Sequence, residues 1–455
     1  MVTRIVFALV TLIGLFIFRG LNPAVQITTI YVLFFFFNVM FDFFTRLGKN
    51  VPIKQLTLVI AIVQWGVAPF LSYHFYTNSE FYFMQIDEGQ YMSFIFPSII
   101  FLFIGLFLPI FGKHSVNLSK AISFFAVNKE IMIRRGKLLF IIGLASQLIH
   151  PFVPKVLAFA LFLLGKLIFI GAFYLYASKV RFRYIYLLAA FLPVIISAAQ
   201  QSIFHDMFLW GGFLFIIYAF IDRIGTLKKL FVFSLALFVF FFVQLIKNDY
   251  RESIQLKQIN KDRSDLLKEV TADKLNADID DEYFQGLVDR LNQGWIIARI
   301  IYVVPTYEPY ADGETITEAI KSAFVPRFLM PNKIVSGGYY FSRFTGIDLQ
   351  DTSMNLGLVG EAYANYGFSG GVFFMFLFGL FVNAVLSIVF FYARKTPEIV
   401  LWIPFLFLYM IKAEDDFATM INQFTKALYI MIGIFVIFRR FYPYLAISQS
   451  KSTYS

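Results

Sequence analysis

The chain has 455 residues, 59% of them hydrophobic and only 15% charged, with 61 Phe, no Cys and a formal net charge of +10. Soluble globular domains average roughly 45–50% apolar and ~25% charged residues. Too little polar surface exists here to keep a folded chain in water, and long disordered or fibrous states fail for the same reason.

The mean hydropathy of +0.71 fits a membrane protein. In such a chain an excess of Lys and Arg reflects loop orientation, so no nucleic-acid partner is expected. The missing Cys exclude disulfides, thiolate catalysis and Cys-bound metals, and four scattered His (74, 114, 150 and 205) argue against a His-rich metal site.

A spanning helix needs about 20 mainly apolar residues, because the hydrocarbon core is ~30 Å thick and the rise is ~1.5 Å per residue. Such runs fall at 5–18, 24–44, 55–73, 91–112, 138–152, 156–177, 184–200, 206–222, 230–247, 369–392, 398–412 and 424–440. They predict twelve spans, the first, fifth and eleventh of them short. Met1 to Arg4 before an apolar run has the form of a signal peptide. No small-x-small cleavage site follows Arg19, so a retained first helix is expected.

Loop charges set the orientation. With a cytoplasmic N-terminus, the inside loops hold Arg46, Lys49 and Lys54; Lys113, Lys120, Lys129, Arg134, Arg135 and Lys137; Lys179, Arg181 and Arg183; Arg223, Lys228 and Lys229; and Arg394 and Lys395. The tail adds Arg439, Arg440 and Lys451, while the short outside loops hold few cations and several acids, among them Glu80, Asp87, Glu88 and Glu414. Both termini are therefore expected inside.

The chain then divides into spans one to nine (1–247), a large extracytoplasmic loop (248–368), spans ten to twelve (369–442) and a cytoplasmic tail (443–455). The large loop is about 120 residues long, and loops of that size are functional or disordered. It carries 18 of the 29 acidic residues. Residues 262–291 alternate apolar and charged positions in the pattern of an amphipathic helix. The rest of the loop, dense in Gly, Pro, Tyr and Arg, fits an ordered cap.

Candidate cations in this cap are Arg251, Arg290, Arg299, Arg327, Lys333 and Arg343. Arg327 lies between Pro326 and Pro331, and a guanidinium on a rigid turn offers phosphate two parallel hydrogen bonds. The alternative is an interfacial Arg that snorkels to lipid headgroups or local acids. Glu361 is the first candidate carboxylate. If its segment is helical, Ser353, Gly357, Glu361 and Asn365 share one face, which is either a substrate approach or a helix-packing face. Glu414, Asp415 and Asp416 cluster beside Lys412, as a base or as a solvated helix end. Asp278, Asp280 and Asp281 superficially match an acidic glycosyltransferase metal motif, but sit in a charge-alternating helix; no metal or cofactor is indicated. Lys166, mid-span, marks a functional or buried-paired position with no partner evident in the sequence. Outer-face aromatics, including Tyr82, Trp295, Tyr339, Tyr340 and Phe341, suit sugar stacking or an interfacial belt.

About a dozen spans, one late external loop and the Pro-Arg-x-x-x-Pro-x-Lys turn at 326–333 resemble the bacterial repeat-unit polysaccharide polymerases, the Wzy class. Further likeness lies in Tyr250-Arg251, in Arg290 to Gly294, in Val325 to Lys333 and in Thr352 to Gly367. The architecture covers the whole chain, and the motif likeness about 247–371. The resemblance implies an all-α, GT-C-like polytopic bundle in the bacterial inner membrane, with a metal-independent site on its outer face. It implies polymerisation of undecaprenyl-diphosphate-linked oligosaccharide units into O-antigen, capsule or exopolysaccharide, alongside membrane lipids, a flippase and a chain-length regulator. Arg251, Arg290, Arg327, Lys333, Arg343 and Tyr339 would then bind diphosphate or glycan, with Glu361 as the preferred base and Asp415 as the second choice. A ligase-like transferase and a flippase are the competing readings. Ligase chemistry that uses a loop His is disfavoured, because this loop has none, and a flippase would place charges along the spans.

Overall fold

The computed structural model describes residues 2–77, 79, 81–111, 117–201, 205–255, 281–325, 338–348 and 354–441. Among them every regular element is helical. Seven helices are long and apolar enough to cross a membrane: Val2–Leu21, Ile27–Arg46, Ile53–His74, Glu88–Phe111, Ala158–Ala177, Leu358–Ala393 and Phe417–Phe441. The chain is a helical membrane protein. The other five apolar runs also coincide with helices, at Lys129–Ile149, Arg183–Gln201, His205–Asp222, Thr226–Gln255 and Pro397–Phe407.

The eleventh run differs most from expectation. Pro397–Phe407 is only 11 residues long, which at ~1.5 Å per residue covers about half of the ~30 Å hydrocarbon core. Residues 408–416 continue without a helix until Phe417 begins the last one.

Close helix crossings are built on small residues. Glu88–Phe107 lies along Leu358–Ala393, and a Cβ added at Gly379 would stand 2.5 Å from the Leu102 carbonyl oxygen. Gly143 and Gly171 play the same part where Lys129–Ile149 meets Leu167–Ala177. In lipid, where tails are as apolar as Leu, such close approach is what favours association.

Two ion pairs tie charges inside the bundle. Lys166 interrupts the helix between Gly165 and Leu167. Its ammonium bonds Asp206, at the start of His205–Asp222, and lies 4.7 Å from the Phe162 ring centroid. Arg135, expected among the loop cations, is instead buried in Lys129–Ile149 and pairs with buried Glu398 at 2.5 Å. The Phe438 ring covers its guanidinium at 4.6 Å, and Trp402 Nε1 donates to the Tyr174 hydroxyl nearby at 2.9 Å.

Of the amphipathic stretch expected at 262–291, residues 262–280 lie outside the described residues, and Asp281–Leu291 is helical with Leu287 and Val288 buried. The cap continues through Gly294–Val303, Glu314–Phe324 and Gly338–Thr345. It has a small core of its own, where Trp295, Ile300, Phe341, Phe344 and Leu356 pack together. Helix Glu314–Phe324 lies on Phe417–Phe441, where Asn422 Nδ2 donates to Ser322 Oγ at 2.9 Å.

Leu358–Ala393 is two helices joined at Gly367 (φ 65°, ψ −160°). Only glycine holds this backbone without strain, and a Cβ there would meet the Tyr310 ring at 3.0 Å. The short segment before the kink belongs to the cap, and the long one after it matches the tenth expected span, 369–392.

Removing one partner of a buried ion pair strands the other, which typically costs about 3–5 kcal/mol, whereas an apolar replacement of both is often neutral. Arg135→Ala and Glu398→Ala should therefore each lower the melting midpoint of the detergent-solubilised chain more than the double change Arg135→Met/Glu398→Leu. Equal losses for the single and double variants would contradict this account of the pair.

Candidate functional site

The site grows from an irregularity in Ile53–His74. Residues Val63–Val67 form a π-helical turn, a rare geometry that is frequent at functional positions. It turns two carbonyls outward. Gln64 O accepts from Gln293 N–H at 3.1 Å, at the entrance to Gly294–Val303, and Trp65 O accepts from the Tyr91 hydroxyl at 2.8 Å. Side chains from the same turn reach the non-helical 408–416 segment. Trp65 Nε1 donates to the Ala413 carbonyl at 3.3 Å, and Gln64 Nε2 donates to Glu414 Oε2 at 3.3 Å.

Between this turn, the cap and the 412–415 segment lies a cavity of about 650 Å³. Gln64, Asp289, Arg290, Gln293, Asn355, Lys412, Glu414 and Asp415 supply its polar wall, and Tyr82, Trp295, Phe208 and Leu209 its aromatic and apolar wall. Three carboxylates and two cations give the lining a slightly acidic balance. With its amides, such a wall suits a hydroxyl-rich ligand better than a bare anion.

Asp415 is 7% exposed and stands 3.8 Å from Lys412 Nζ. Burial pushes its carboxyl up to about 7; the Lys412 ammonium opposes that rise, while Glu414 and Asp416 add to it. Lys412 is itself buried, with its ammonium 4.1 Å from the Tyr409 ring centroid. Burial also holds Asp289 above the usual carboxylate range, against hydrogen bonds from Gln285 and Ser79 and the charge of Arg290.

Two expected site residues, Arg290 and Asp415, thus meet at one cavity although distant in sequence. Glu361 does not join them. It is 2% exposed, with Oε1 accepting from Thr315 Oγ1 at 2.6 Å and Oε2 from the Phe417 N–H at 2.6 Å. Both oxygens are engaged in holding Glu314–Phe324 and the start of the last helix to the Glu361 segment. That is the packing alternative, with a hydroxyl and a helix N-terminus as the partners. The shared face also shrinks. Its helix begins at Leu358, after Gly357 in an extended, positive-φ conformation; Ser353 lies outside the described residues; and only Glu361 and Asn365 remain, both bonded to Thr315.

Arg343 is bound to Glu308 at 2.6 Å and Glu314 at 2.8 Å and does not line the cavity. Tyr339 is 57% exposed beside the Tyr340 ring and does not line it either. Arg299 serves the cap, donating to the Thr345 carbonyl and to Gln85 Oε1. Arg251 falls in helix Thr226–Gln255, but its side chain lies outside the described residues, as do Arg327 and Lys333. The charged pairs of the spans, Lys166–Asp206 and Arg135–Glu398, are absent from the cavity wall.

Sequence reasoning passed over Gln64, Asp289, Gln293 and Asn355. None of the four carried a distinctive signal; Gln64 is one of two Gln in the apolar run 55–73. The described residues hold no cluster of three or more His, Cys, Asp or Glu suited to a metal ion. No protein-family model, curated protein or solved structure matches the chain.

An intramolecular hydrogen bond contributes roughly 0.5–1.5 kcal/mol net, and a buried group left without its partner costs about 1–3 kcal/mol. Glu361→Ala should lower the melting midpoint and open Glu314–Phe324 to proteolysis, and Glu361→Gln, which keeps one acceptor oxygen, should do so less. A Glu361→Ala chain as stable and protease-resistant as the parent would refute the anchoring role.

Proposed function

We propose that the chain is a membrane glycosyltransferase that joins lipid-diphosphate-linked oligosaccharide units, as a repeat-unit polysaccharide polymerase of the bacterial inner membrane. The observation that carries this reading is the convergence of Arg290 and a buried, pKa-raised Asp415 on one amide-rich cavity beneath the cap. In the reaction, Asp415 takes the proton of an acceptor hydroxyl as its oxygen bonds the anomeric carbon of the donor glycan. The bond from that carbon to the lipid diphosphate breaks, and the diphosphate leaves with its electron pair. Arg290 and Lys412 offset the charge that grows on this leaving group, and Asp415 later releases its proton to water. The cap and the bundle hold two lipid-anchored reactants in register, which turns an encounter into an oriented reaction.

The twelve-span, GT-C-like arrangement belongs to the same proposal, as do a flippase that delivers the units and a partner that sets chain length. It draws support from the helices found at the twelve apolar runs, the eleventh only as far as Phe407, and from the basic residues gathered at the helix ends remote from the cap, such as Arg46, Lys120, Arg223, Arg394 and Arg439. The lack of native Cys makes the sidedness directly measurable. Tyr307, on the exposed cap surface, should as Tyr307→Cys react with a membrane-impermeant maleimide in intact spheroplasts. Lys120→Cys should react only after permeabilisation, and the reverse pattern would invert the topology.

General-base catalysis contributes typically 10²–10⁴-fold. Asp415→Asn should cut polymer formation at least ~100-fold, and both it and Arg290→Ala should leave single repeat units accumulating on electrophoresis of extracted glycans. A carboxyl that titrates near 7 is a competent base only above that pH. Polymer formation by the purified chain should therefore rise about tenfold per pH unit below 7 and level off above it, and Asp415→Asn should lose that inflection. Normal long-chain polymer from Asp415→Asn would remove the base assignment.

A further inference from the structure

We propose that Gln64 positions the ligand of the cavity by accepting a hydrogen bond from one of its hydroxyl groups, an inference that rests on the saccharide-transfer reading above. The argument begins with the orientation of its amide. A carboxylate only accepts hydrogen bonds, so the contact at 3.3 Å between the Gln64 side chain and Glu414 Oε2 assigns the –NH₂ end to Glu414. The carbonyl end, Oε1, then faces away from Glu414. It is shielded from solvent and has no hydrogen-bond partner among the described residues. Buried amide oxygens are rarely left so, because the loss of water is uncompensated.

A second acceptor on the same wall is in the same condition. Asp415 Oδ2 is buried without a hydrogen-bond partner, its cation Lys412 standing at 3.8 Å. Two shielded acceptors lacking donors are complementary to a ligand that brings donors, and sugar hydroxyls are that chemistry. At these two oxygens, away from Arg290, an anion would meet oxygen facing oxygen.

The backbone explains why this amide is held there. A π turn survives in an apolar helix only where its redirected groups are satisfied from outside. Gln293 and Tyr91 satisfy the carbonyls of Gln64 and Trp65, and Ala413 receives the Trp65 indole. With Glu414 holding its –NH₂ end, Gln64 is fixed at both its main chain and its side chain. Such a pre-set acceptor needs little ordering when a ligand arrives.

The test uses the full chain in lipid nanodiscs. The probe is the lipid-linked oligosaccharide unit that accumulates in cells lacking this chain, with affinity read by titration calorimetry. Gln64→Met keeps the length of the side chain and removes both polar atoms; it should bind about tenfold more weakly, and the lost hydrogen bond to Glu414 should also lower its melting midpoint. The double change Gln64→Glu/Glu414→Gln reverses that hydrogen bond and keeps an acceptor facing the ligand, so it should restore the midpoint and return affinity to within about threefold of the parent. The inference is overturned if Gln64→Met binds as tightly as the parent. It is also overturned if the double variant restores the midpoint yet binds no better than Gln64→Met, since that marks a residue of helix packing alone. If the unsubstituted chain fails to bind the probe, the transferase reading falls and the Gln64 role with it, whereas equal binding by parent and Gln64→Met removes only the latter.

Discussion

A buried backbone that leaves the helix must find partners for its polar groups within the protein, because an unpaired buried N–H or C=O is costly. Residues 408–416 pose that problem, and the rest of the site follows from how it is met. The Trp65 indole takes the Ala413 carbonyl, and Gln64 holds Glu414. Glu361 receives the Phe417 N–H, and Asp416 Oδ1 accepts from the Thr419 N–H at 2.8 Å at the start of the last helix. The contacts that satisfy this stretch are the same ones that face Lys412 and Asp415 into the cavity.

Satisfaction of the loop also ties the cap to the bundle. Glu361 lies on the cap segment before the kink, yet its carboxylate joins Thr315 of one cap helix to the N-terminus of the final long helix. The Gln64 carbonyl receives the amide that opens Gly294–Val303. Deeper in the bundle, Arg135–Glu398 and Lys166–Asp206 fasten helices far apart in sequence. Because each of these charges is neutralised where it stands, the polar capacity of the cavity is carried by residues of the cap, the 412–415 segment and the π turn.

Much of the fold was legible in the sequence, because length and hydropathy are local properties. Every apolar run meets a helix, although the run at 398–412 leaves it after Phe407, and the run at 369–392 starts just beyond the Gly367 kink. What could not be read depends on partners remote in the chain. Arg135 resembled a loop cation because nothing near it announces Glu398, and Glu361 resembled a base because Thr315 and the Phe417 N–H are invisible locally. For the site, Arg290 was named from its place in the outer loop and the likeness at 290–294, and Asp415 from its acidic cluster beside Lys412. The π turn that makes the wall between them has no sequence signature, so the contribution of Gln64 emerged only from geometry.

The bend at Gly367 restricts what any kindred chain can carry. Its dihedral angles are open to glycine alone, and the Tyr310 ring occupies the space a side chain would need. Kin that have drifted beyond recognition elsewhere, yet retain this roof, must keep a glycine at the hinge and a compact aromatic platform about 57 positions upstream. That two-point fingerprint offers a way to gather distant kin where whole-length comparison finds none.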